Sequence, residues 1–248
     1  MKKMMITAVV VCGAFLVTAA PAQAAPQDPV RALKTKLVAG YGVRFTETAD
    51  WSDGTDTEQA YTNKGVVQFD TKGPAAYDIA STAWDEEKDR VIYLDKTTYL
   101  SGALAERLPK GKTWFKYKGG GGMPYLYGQI LNPAEPATLS ALLKKGTTAG
   151  NKVTGKITFK DLAKVSPWFS RSEVRSWPGG TQVEYTLTLT SAGLVSKLWS
   201  SFTAKGVPDD FSNYENSTFI VETRYTGWGS KVSVKAPSPK TVTDKLTS

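Results

Sequence analysis

The sequence predicts a mainly β protein of the α+β class, built on an antiparallel sheet. Short runs rich in Thr, Val, Tyr, Phe and Trp recur along most of the chain, separated by turns of Gly, Asp, Asn and Lys. Apolar and polar residues also alternate within these runs. The clearest is 183–190, which places Val, Tyr and two Leu on one face and Glu and three Thr on the other. This alternation predicts strands with one buried face.

A short helix is predicted ahead of the strands. Asp28 is a suitable N-cap residue, and Pro29 suits the first helical position because it needs no hydrogen-bond partner for its nitrogen. The residues that recur on one face are Val30, Leu33 and Leu37. We expect Gly40 and Gly42 to end the helix.

The period of two predicts two groups of strands, which we expect to pair mainly as hairpins between neighbours in sequence. The first group comprises 43–51, 58–69, 76–84, 90–94, 97–100 and 113–118, and the second comprises 152–162, 181–190, 194–202, 219–226 and 231–234.

Between 124 and 146 the apolar period lengthens and predicts two short helices. The first contains Leu126, Ile130 and Leu131. The second begins at Pro136 and ends in Lys144, Lys145 and Gly146, a basic last turn followed by a helix-stopping glycine. The segments 164–180 and 205–217 are rich in Pro, Gly, Ser and charged residues and are predicted to be long loops.

The first residues are typical of a cleavable signal peptide. Lys2 and Lys3 precede an apolar run, and Ala22 and Ala24 supply the small residues that a signal peptidase recognises. An uncleaved anchor is the alternative, but Ala and Thr dilute the run and a cleavage-type sequence follows it. We therefore expect 1–24 to be a signal peptide cleaved before Ala25, 25–248 to form a single domain, and the product to be secreted or held in the cell envelope.

The composition excludes several kinds of chemistry. The chain has no histidine, and its one cysteine, Cys12, lies in the segment that cleavage would remove. Cys12 follows Val11, where a lipid-attachment motif requires a small residue, so we expect no lipid anchor there. A chain without these residues lacks the usual zinc ligands, a thiol nucleophile and an imidazole base. We expect no metal, no cofactor and no catalytic residue.

Carboxylate chemistry is the enzymatic alternative that remains. The acidic runs 85–87 and 209–210 could in principle serve a glycan hydrolase. Adjacent acids in turn-like segments usually face solvent, so we rank this alternative last.

The chain carries a formal net charge of +8. Its lysines are scattered along the sequence, so we expect only weak attraction to anionic lipids or wall polymers. The 7 Trp, 11 Tyr and 9 Phe are spread over the strands rather than interleaved with Arg. We therefore expect no nucleic-acid binding. We also expect the protein to be a monomer.

The order of these elements resembles the lipoprotein-carrier superfamily of LolA and LolB, and most closely its actinobacterial LppX and LprG-like branch. An amino-terminal helix, antiparallel strands, a helical insertion and returning strands with a C-terminal hairpin follow one another. Each matching motif is short, but together they cover nearly the whole chain after 24. They are 108–114 (LPKGKTW), 136–146, 185–189 followed by 193–195, 223–229 (TRYTGWG), 232–234, 236–237, Val242 and Asp244.

The resemblance implies a strongly curved antiparallel sheet that forms an incomplete barrel, with short helices covering its concave face and an acyl-chain cavity between them. Members of the superfamily bind lipids or lipidated proteins outside the cytoplasm. The studied relatives of the LppX branch carry a lipid on a cysteine after the signal peptide, and no cysteine follows Ala24 here. An unanchored form is therefore implied.

The sequence thus predicts a non-enzymatic binding or carrier protein for a lipid or other apolar ligand, with a membrane surface or envelope proteins as further partners. A curved sheet too wide to fill its own interior leaves apolar surface for a guest, and each buried methylene contributes about 0.8 kcal/mol. The alternative is a protein-interaction or sensor module of the same fold with a filled interior. The predicted cavity-lining residues are Phe45, Phe69, Ile79, Tyr93, Trp114, Leu126, Leu142, Ile157, Tyr185, Leu187, Phe219 and Val221.

Overall fold

The computed structural model describes residues 28–83, 85–102, 104–119 and 128–247, and these residues form a mostly β structure. Its twelve strands belong to one sheet, in the order β12-β6-β5-β4-β3-β2-β1-β11-β10-β9-β8-β7. The sheet does not close on itself, so the predicted incomplete barrel with few short helices is confirmed. The strands are β1 (Tyr41–Ser52), β2 (Thr57–Phe69), β3 (Pro74–Ala83), β4 (Lys88–Leu94), β5 (Thr97–Ser101), β6 (Trp114–Lys118), β7 (Thr147–Ala149), β8 (Lys152–Thr158), β9 (Gln182–Leu189), β10 (Val195–Thr203), β11 (Thr218–Lys231) and β12 (Val242–Thr243).

Hairpin pairing accounts for most of the sheet, as predicted. Each strand from β1 to β6 pairs antiparallel with its neighbour in sequence, and so does each strand from β7 to β11. Two pairings are long-range. The antiparallel pair of β1 with β11 joins the two halves, and β12 adds to β6 in parallel.

Three α-helices accompany the sheet: α1 (Pro29–Lys34), α2 (Pro136–Lys145) and α3 (Phe159–Ala163). Asp28 caps α1 as predicted, because its carboxylate accepts hydrogen bonds from the backbone N–H groups of Val30 and Arg31. The predicted helix 136–145 is confirmed as α2. Its last turn carries Lys144 and Lys145, and the Gly146 N–H donates to the carbonyl of Leu142.

Three local predictions were wrong. Residues 128–135 form no helix; they run as an irregular, buried segment with its own side-chain hydrogen bonds. The predicted strand 152–162 stops at Thr158, whose hydroxyl accepts from the Asp161 N–H and so begins α3. The predicted hairpin 219–234 is one strand, β11, which extends to Lys231.

The segment 164–180, predicted to be a long loop, has regular turns and buried side chains. It contains two short 3₁₀ turns, Phe169–Arg171 and Glu173–Ser176. Four of its apolar side chains are buried, namely Trp168, Phe169, Val174 and Trp177. Because these large side chains pack on the sheet, the segment belongs to the core although its polar composition is typical of a loop.

The two faces of the sheet differ in chemistry. On β1, Val43, Phe45 and Ala49 are buried against the helices, whereas Arg44 and Thr46 face outward. We call the covered face concave and the opposite face convex. Lysines and arginines that lie far apart in the sequence align on the convex face, so the prediction of a scattered charge does not hold in the folded chain.

Close approach between strands β1 and β2 gives a first test of this packing. Gly65 lies opposite Phe45, and a Cβ atom there would stand 2.7 Å from the Phe45 ring and 3.0 Å from the carbonyl oxygen of Asp78. We expect Gly65→Ala to lower the free energy of unfolding by about 1–3 kcal/mol because the core is overpacked. Gly180→Ala is the matched control, since no atom lies within 4 Å of its Cβ position. Equal stability of the two variants in denaturant titrations would refute this packing.

Candidate functional site on the concave face

The concave face is covered by residues 128–145 and 159–177, which we call the cover. It consists of an irregular segment, the helices α2 and α3 and the two 3₁₀ turns. The cover buries Leu131, Leu139 and Leu142 against the sheet, all at 2 % exposure or less. Tyr185 of β9 fastens α2, because its hydroxyl donates to the Leu142 carbonyl at 2.6 Å. The cover is therefore part of the hydrophobic core.

Glu135 holds the two halves of the cover together. Its carboxylate accepts hydrogen bonds from the hydroxyls of Ser166 at 2.6 Å and Thr138 at 2.8 Å, and from the backbone N–H of Trp168 at 2.7 Å. The Trp168 indole N–H in turn donates to the carbonyl oxygen of Gln129 at 2.8 Å. Burial raises the pKa of Glu135, and these donors partly oppose the increase.

A second buried carboxylate, Glu47, ties the cover to the centre of the sheet. It accepts from the Asn63 amide at 2.7 Å, the Thr223 hydroxyl at 2.9 Å and the backbone N–H of Gln129 at 3.2 Å. The Gln129 side chain extends the network to Ser200, whose hydroxyl donates to its oxygen at 2.8 Å. Burial raises the pKa of Glu47 despite three hydrogen bonds that lower it.

The sequence reasoning did not identify Glu47 and Glu135 as important. A signal for Glu47 was present, because it continues the inward period of Val43 and Phe45 on β1. An acidic residue in an apolar period indicates a buried, hydrogen-bonded carboxylate. Nothing comparable marks Glu135, which stands just before Pro136 and points into the cover.

A small void separates the cover from the sheet beside this network. Its volume is about 10 Å³, and Phe45, Glu47, Gln129, Asn132 and Trp168 are among its lining residues. The Nδ2 atom of Asn132 is buried without a hydrogen-bond partner. A space of this size accommodates about one water molecule, far below the roughly 300–1,000 Å³ of a small-molecule site.

An aromatic strip continues across the concave face toward β6. The Trp168 and Tyr77 rings meet edge to face at 5.1 Å, and Tyr77 stacks on Tyr93 at 5.2 Å between ring centroids. In the register of the strands, Thr98 and then Tyr117 follow Tyr93. Burial raises the pKa of Tyr77 and of Tyr117.

The strip becomes accessible at its β6 end. Leu100, Phe115 and Tyr117 are only partly buried there, unlike the inward-facing residues of β1, β9 and β11. Arg171 of the cover lies over the Tyr93 ring, with its guanidinium carbon 4.8 Å from the ring centroid. Within the described part of the chain, Arg171 forms no ion pair with a carboxylate. We call Tyr93, Leu100, Phe115, Tyr117 and Arg171 the aromatic cleft.

The predicted lining residues fall into three groups. Nine of them are buried on the concave face of the sheet and a tenth, Leu142, is buried in the cover, but only Tyr93 belongs to the aromatic cleft and only Phe45 lines the small void. Trp114 lies on the convex face, where it packs near Ile92 and Val234. Leu126 lies outside the described residues. The ten buried residues are Phe45, Phe69, Ile79, Tyr93, Leu142, Ile157, Tyr185, Leu187, Phe219 and Val221.

The exposed acids do not form a site. Residues 85–87 and 209–210 are all exposed to solvent, as expected for turn carboxylates. In the described ranges no group of three metal-ligating side chains comes together. The same ranges contain no helix whose length and apolar character would let it cross a bilayer.

Comparison with known proteins gives structural matches alone. No protein-family model and no curated protein sequence matches the chain. The lipoprotein LppX of Mycobacterium tuberculosis matches 84 % of this chain and 96 % of its own, with 9 % identity and a TM-score of 0.41. A LolA superfamily protein of Nitrosomonas europaea matches 82 % of this chain and 91 % of its own, with 8 % identity and a TM-score of 0.36. The likeness concerns the fold, and the function has to be argued from the site.

The buried Glu47 gives a testable pH dependence. Glu47 keeps its proton in the folded state to a higher pH than in the unfolded state, where the ordinary pKa is 4.5. Its contribution to stability is complete below that pH and is lost as the pH rises through the raised pKa of the folded state. We expect Glu47→Gln, which does not titrate, to gain stability relative to the parent as the pH rises above 4.5.

Denaturant unfolding between pH 4 and pH 8 measures this difference. Glu184→Gln, which also removes one carboxylate but from an exposed pair with Lys156, is the matched control. A stability difference between Glu47→Gln and the parent that does not change with pH would show that Glu47 is not buried as described.

Proposed function

We propose that this chain is a non-enzymatic binding protein that holds an apolar ligand with an anionic headgroup at the aromatic cleft. The proposal rests on the half-buried Arg171, which stands over the Tyr93 ring beside the partly buried Leu100, Phe115 and Tyr117 and forms no ion pair with a described residue. A cation in this position can bind a carboxylate or phosphate. The adjoining rings offer apolar surface for a chain.

The energetics favour an amphipathic ligand. Each methylene that leaves water contributes about 0.8 kcal/mol, and a charge-assisted hydrogen bond adds about 1.5–3 kcal/mol. A single acyl chain can therefore bind with no other polar contact. The void of about 10 Å³ is too small for such a chain. The headgroup end of a ligand can bind at the accessible rings, but burial of a whole chain beneath the cover requires the cover around Arg171 to move away from β4–β6.

The cover is suited to such a movement. It consists of short helices and 3₁₀ turns whose polar links to the sheet concentrate at Glu47, Gln129 and Tyr185. These links lie beneath α2 and the irregular segment, whereas the 3₁₀ turn that carries Arg171 meets the sheet through Tyr93 and Tyr77. Trp168 belongs to the Glu135 network, whereas the contact of Arg171 with Tyr93 can be lost without breaking a hydrogen bond of either buried carboxylate.

The first prediction concerns bound lipid. We expect protein purified without detergent to contain lipid that mass spectrometry detects in an organic extract, because the apolar cleft retains its ligand in water. Extracts of an unrelated protein from the same host, purified in the same way, supply the background. Lipid at the background level would count against the proposal.

The second prediction concerns the headgroup. We expect Arg171→Gln to weaken the binding of a fluorescent fatty acid about tenfold, which corresponds to the loss of one charge-assisted contact of about 1.4 kcal/mol. Binding of a fluorescent fatty alcohol of equal length should not change. The control is Arg175→Gln, an exposed arginine of the next 3₁₀ turn. If Arg171→Gln weakened the binding of the fatty acid and the fatty alcohol equally, Arg171 would not be the headgroup contact.

The small void favours a second function, a protein-interaction or sensor module with a filled interior. In that case neither lipid nor fluorescent fatty acid would bind, and the parent and Arg171→Gln would behave alike in both assays. The two functions are therefore separated by the same pair of experiments.

We also propose that the chain acts outside the cytoplasm, based on the predicted signal peptide 1–24. We expect the mature protein from a secreting host to begin at Ala25, which intact-mass measurement and amino-terminal sequencing would show. A full-length protein with Met1 retained in the membrane fraction would contradict cleavage.

A further inference from the structure

The convex face carries a basic row that crosses the sheet at right angles to the strands. Consecutive cross-strand partners place Lys152, Lys197, Arg224, Lys64 and Arg90 in line on β8, β10, β11, β2 and β4. The intervening positions are Thr188, Thr46 and Ala80. With neighbouring strands about 4.8 Å apart, the row extends over about 33 Å. Cations from distant parts of the sequence thus lie in one row, with one uncharged residue between most neighbouring cations.

A second row runs parallel to the basic row, two residues further along each strand, and carries hydroxyl groups. Glu222, Thr48, Thr62 and Thr82 follow one another on β11, β1, β2 and β3. Further along the same row, Trp199 of β10 lies opposite Glu222, half-buried on the convex face. Threonine hydroxyls both donate and accept hydrogen bonds, and the indole offers a flat apolar surface with a polar edge.

A shallow depression lies where the two rows meet. Its volume is about 540 Å³, and its lining includes Thr46, Thr48, Thr62, Lys64 and Arg224. Cations and hydroxyl groups thus line one open hollow, and no described helix is among its lining elements.

Charge within the depression is only partly neutralised. Glu222 accepts from Lys197 at 2.5 Å and from Arg224 at 2.6 Å, and these two cations lower its pKa. Lys64 forms no ion pair with a described residue. Lys64 and Arg224 line the hollow with one solvent-accessible carboxylate, Glu222, so its accessible charges leave a net charge of +1. Lys197 and Lys152 extend the basic row toward β8, whereas Arg90 at the other end is paired with Asp78.

We propose that the convex face binds an extended acidic polysaccharide, which lies across the strands in this depression. The cations of the row are spaced about 5–10 Å apart. Negative groups along a linear polymer can meet Lys64 and Lys152, which form no ion pair with a described residue, and can compete with Glu222 for Lys197 and Arg224. The hydroxyl row suits hydrogen bonds to sugar hydroxyls, and Trp199 provides an apolar surface for a sugar ring. A linear chain can follow an outward-curving face, whereas a flat bilayer would contact only its crest.

Binding of linear polygalacturonate to the full chain tests this site by calorimetry or fluorescence anisotropy at low ionic strength. We expect Lys64→Gln with Lys152→Gln to weaken binding about tenfold, and the remaining affinity to fall with added salt because exposed charges are screened. The control is Lys110→Gln with Lys205→Gln, which removes the same charge from exposed positions outside the row. The control should lose less than twofold.

A second variant separates sugar recognition from charge alone. Thr48→Val with Thr62→Val removes two exposed hydroxyls without a change of shape or charge. We expect it to weaken polygalacturonate binding at least threefold and to leave the binding of polyglutamate, an acidic polymer without sugar, unchanged. Thermal unfolding of every variant checks that the fold is retained.

Several outcomes would overturn the proposal. Equal losses in the row variant and its control would show attraction by net charge alone. If polyglutamate and polygalacturonate bound with equal affinity and the threonine variant had no effect, the site would not recognise sugar. Binding to anionic phospholipid vesicles with the same dependence on Lys64 and Lys152, and none to polygalacturonate, would assign the row to a membrane surface.

Discussion

The structure depends on the need to cover the apolar concave face of an open sheet. Twelve strands in one unclosed sheet expose more apolar surface than three short helices can bury. The chain meets this need with the cover, in which irregular backbone and 3₁₀ turns carry large apolar side chains. Irregular backbone leaves buried polar groups unpaired unless side chains satisfy them. Glu135 and Glu47 do so, and each accepts three hydrogen bonds.

This constraint explains why part of the fold could be predicted from the sequence and part could not. Strands such as β9 follow the apolar period closely, because one of their faces is buried by a neighbouring layer. The helix α1 and the end of α2 carried local signals, at Asp28 and at Gly146. The segment 164–180 carried no local signal of its burial, because its Pro, Gly and Ser residues are typical of loops. Its burial arises from tertiary packing. The end of β8 at Thr158 was also not predicted. It depends on a hydrogen bond from the Asp161 N–H to the Thr158 hydroxyl, which the apolar period does not indicate.

The predicted lining residues stay a prediction, and the structure shows where they lie. Ten of the twelve are buried, nine on the concave face of the sheet and Leu142 in the cover, and most of them pack between the sheet and the cover. The accessible end lies at β4–β6, where Phe115 and Tyr117 had been assigned only to a strand. Arg171 comes from the segment that was taken for a loop. Only the folding of the cover brings Arg171 to Tyr93, so sequence spacing gave no indication of their contact.

The two faces of the sheet also show why composition is a poor guide to surface chemistry. Lys64, Lys152 and Arg224 are far apart in the sequence and share one row on the convex face. Alternation along each strand places apolar residues on one side and these cations on the other. The two proposed ligand sites therefore lie on opposite faces of the sheet, separated by its strands.

Hydrogen exchange with and without a bound fatty acid tests whether the ligand lies at the aromatic cleft, because bound ligand slows exchange in the segments that it contacts. The account predicts slower exchange in 91–100, 114–118 and 168–177, which surround the aromatic cleft, and unchanged exchange in the strands 152–158 and 182–189 at the other end of the sheet. Protection spread evenly over the sheet, or no change around Arg171, would contradict a ligand site at the cleft.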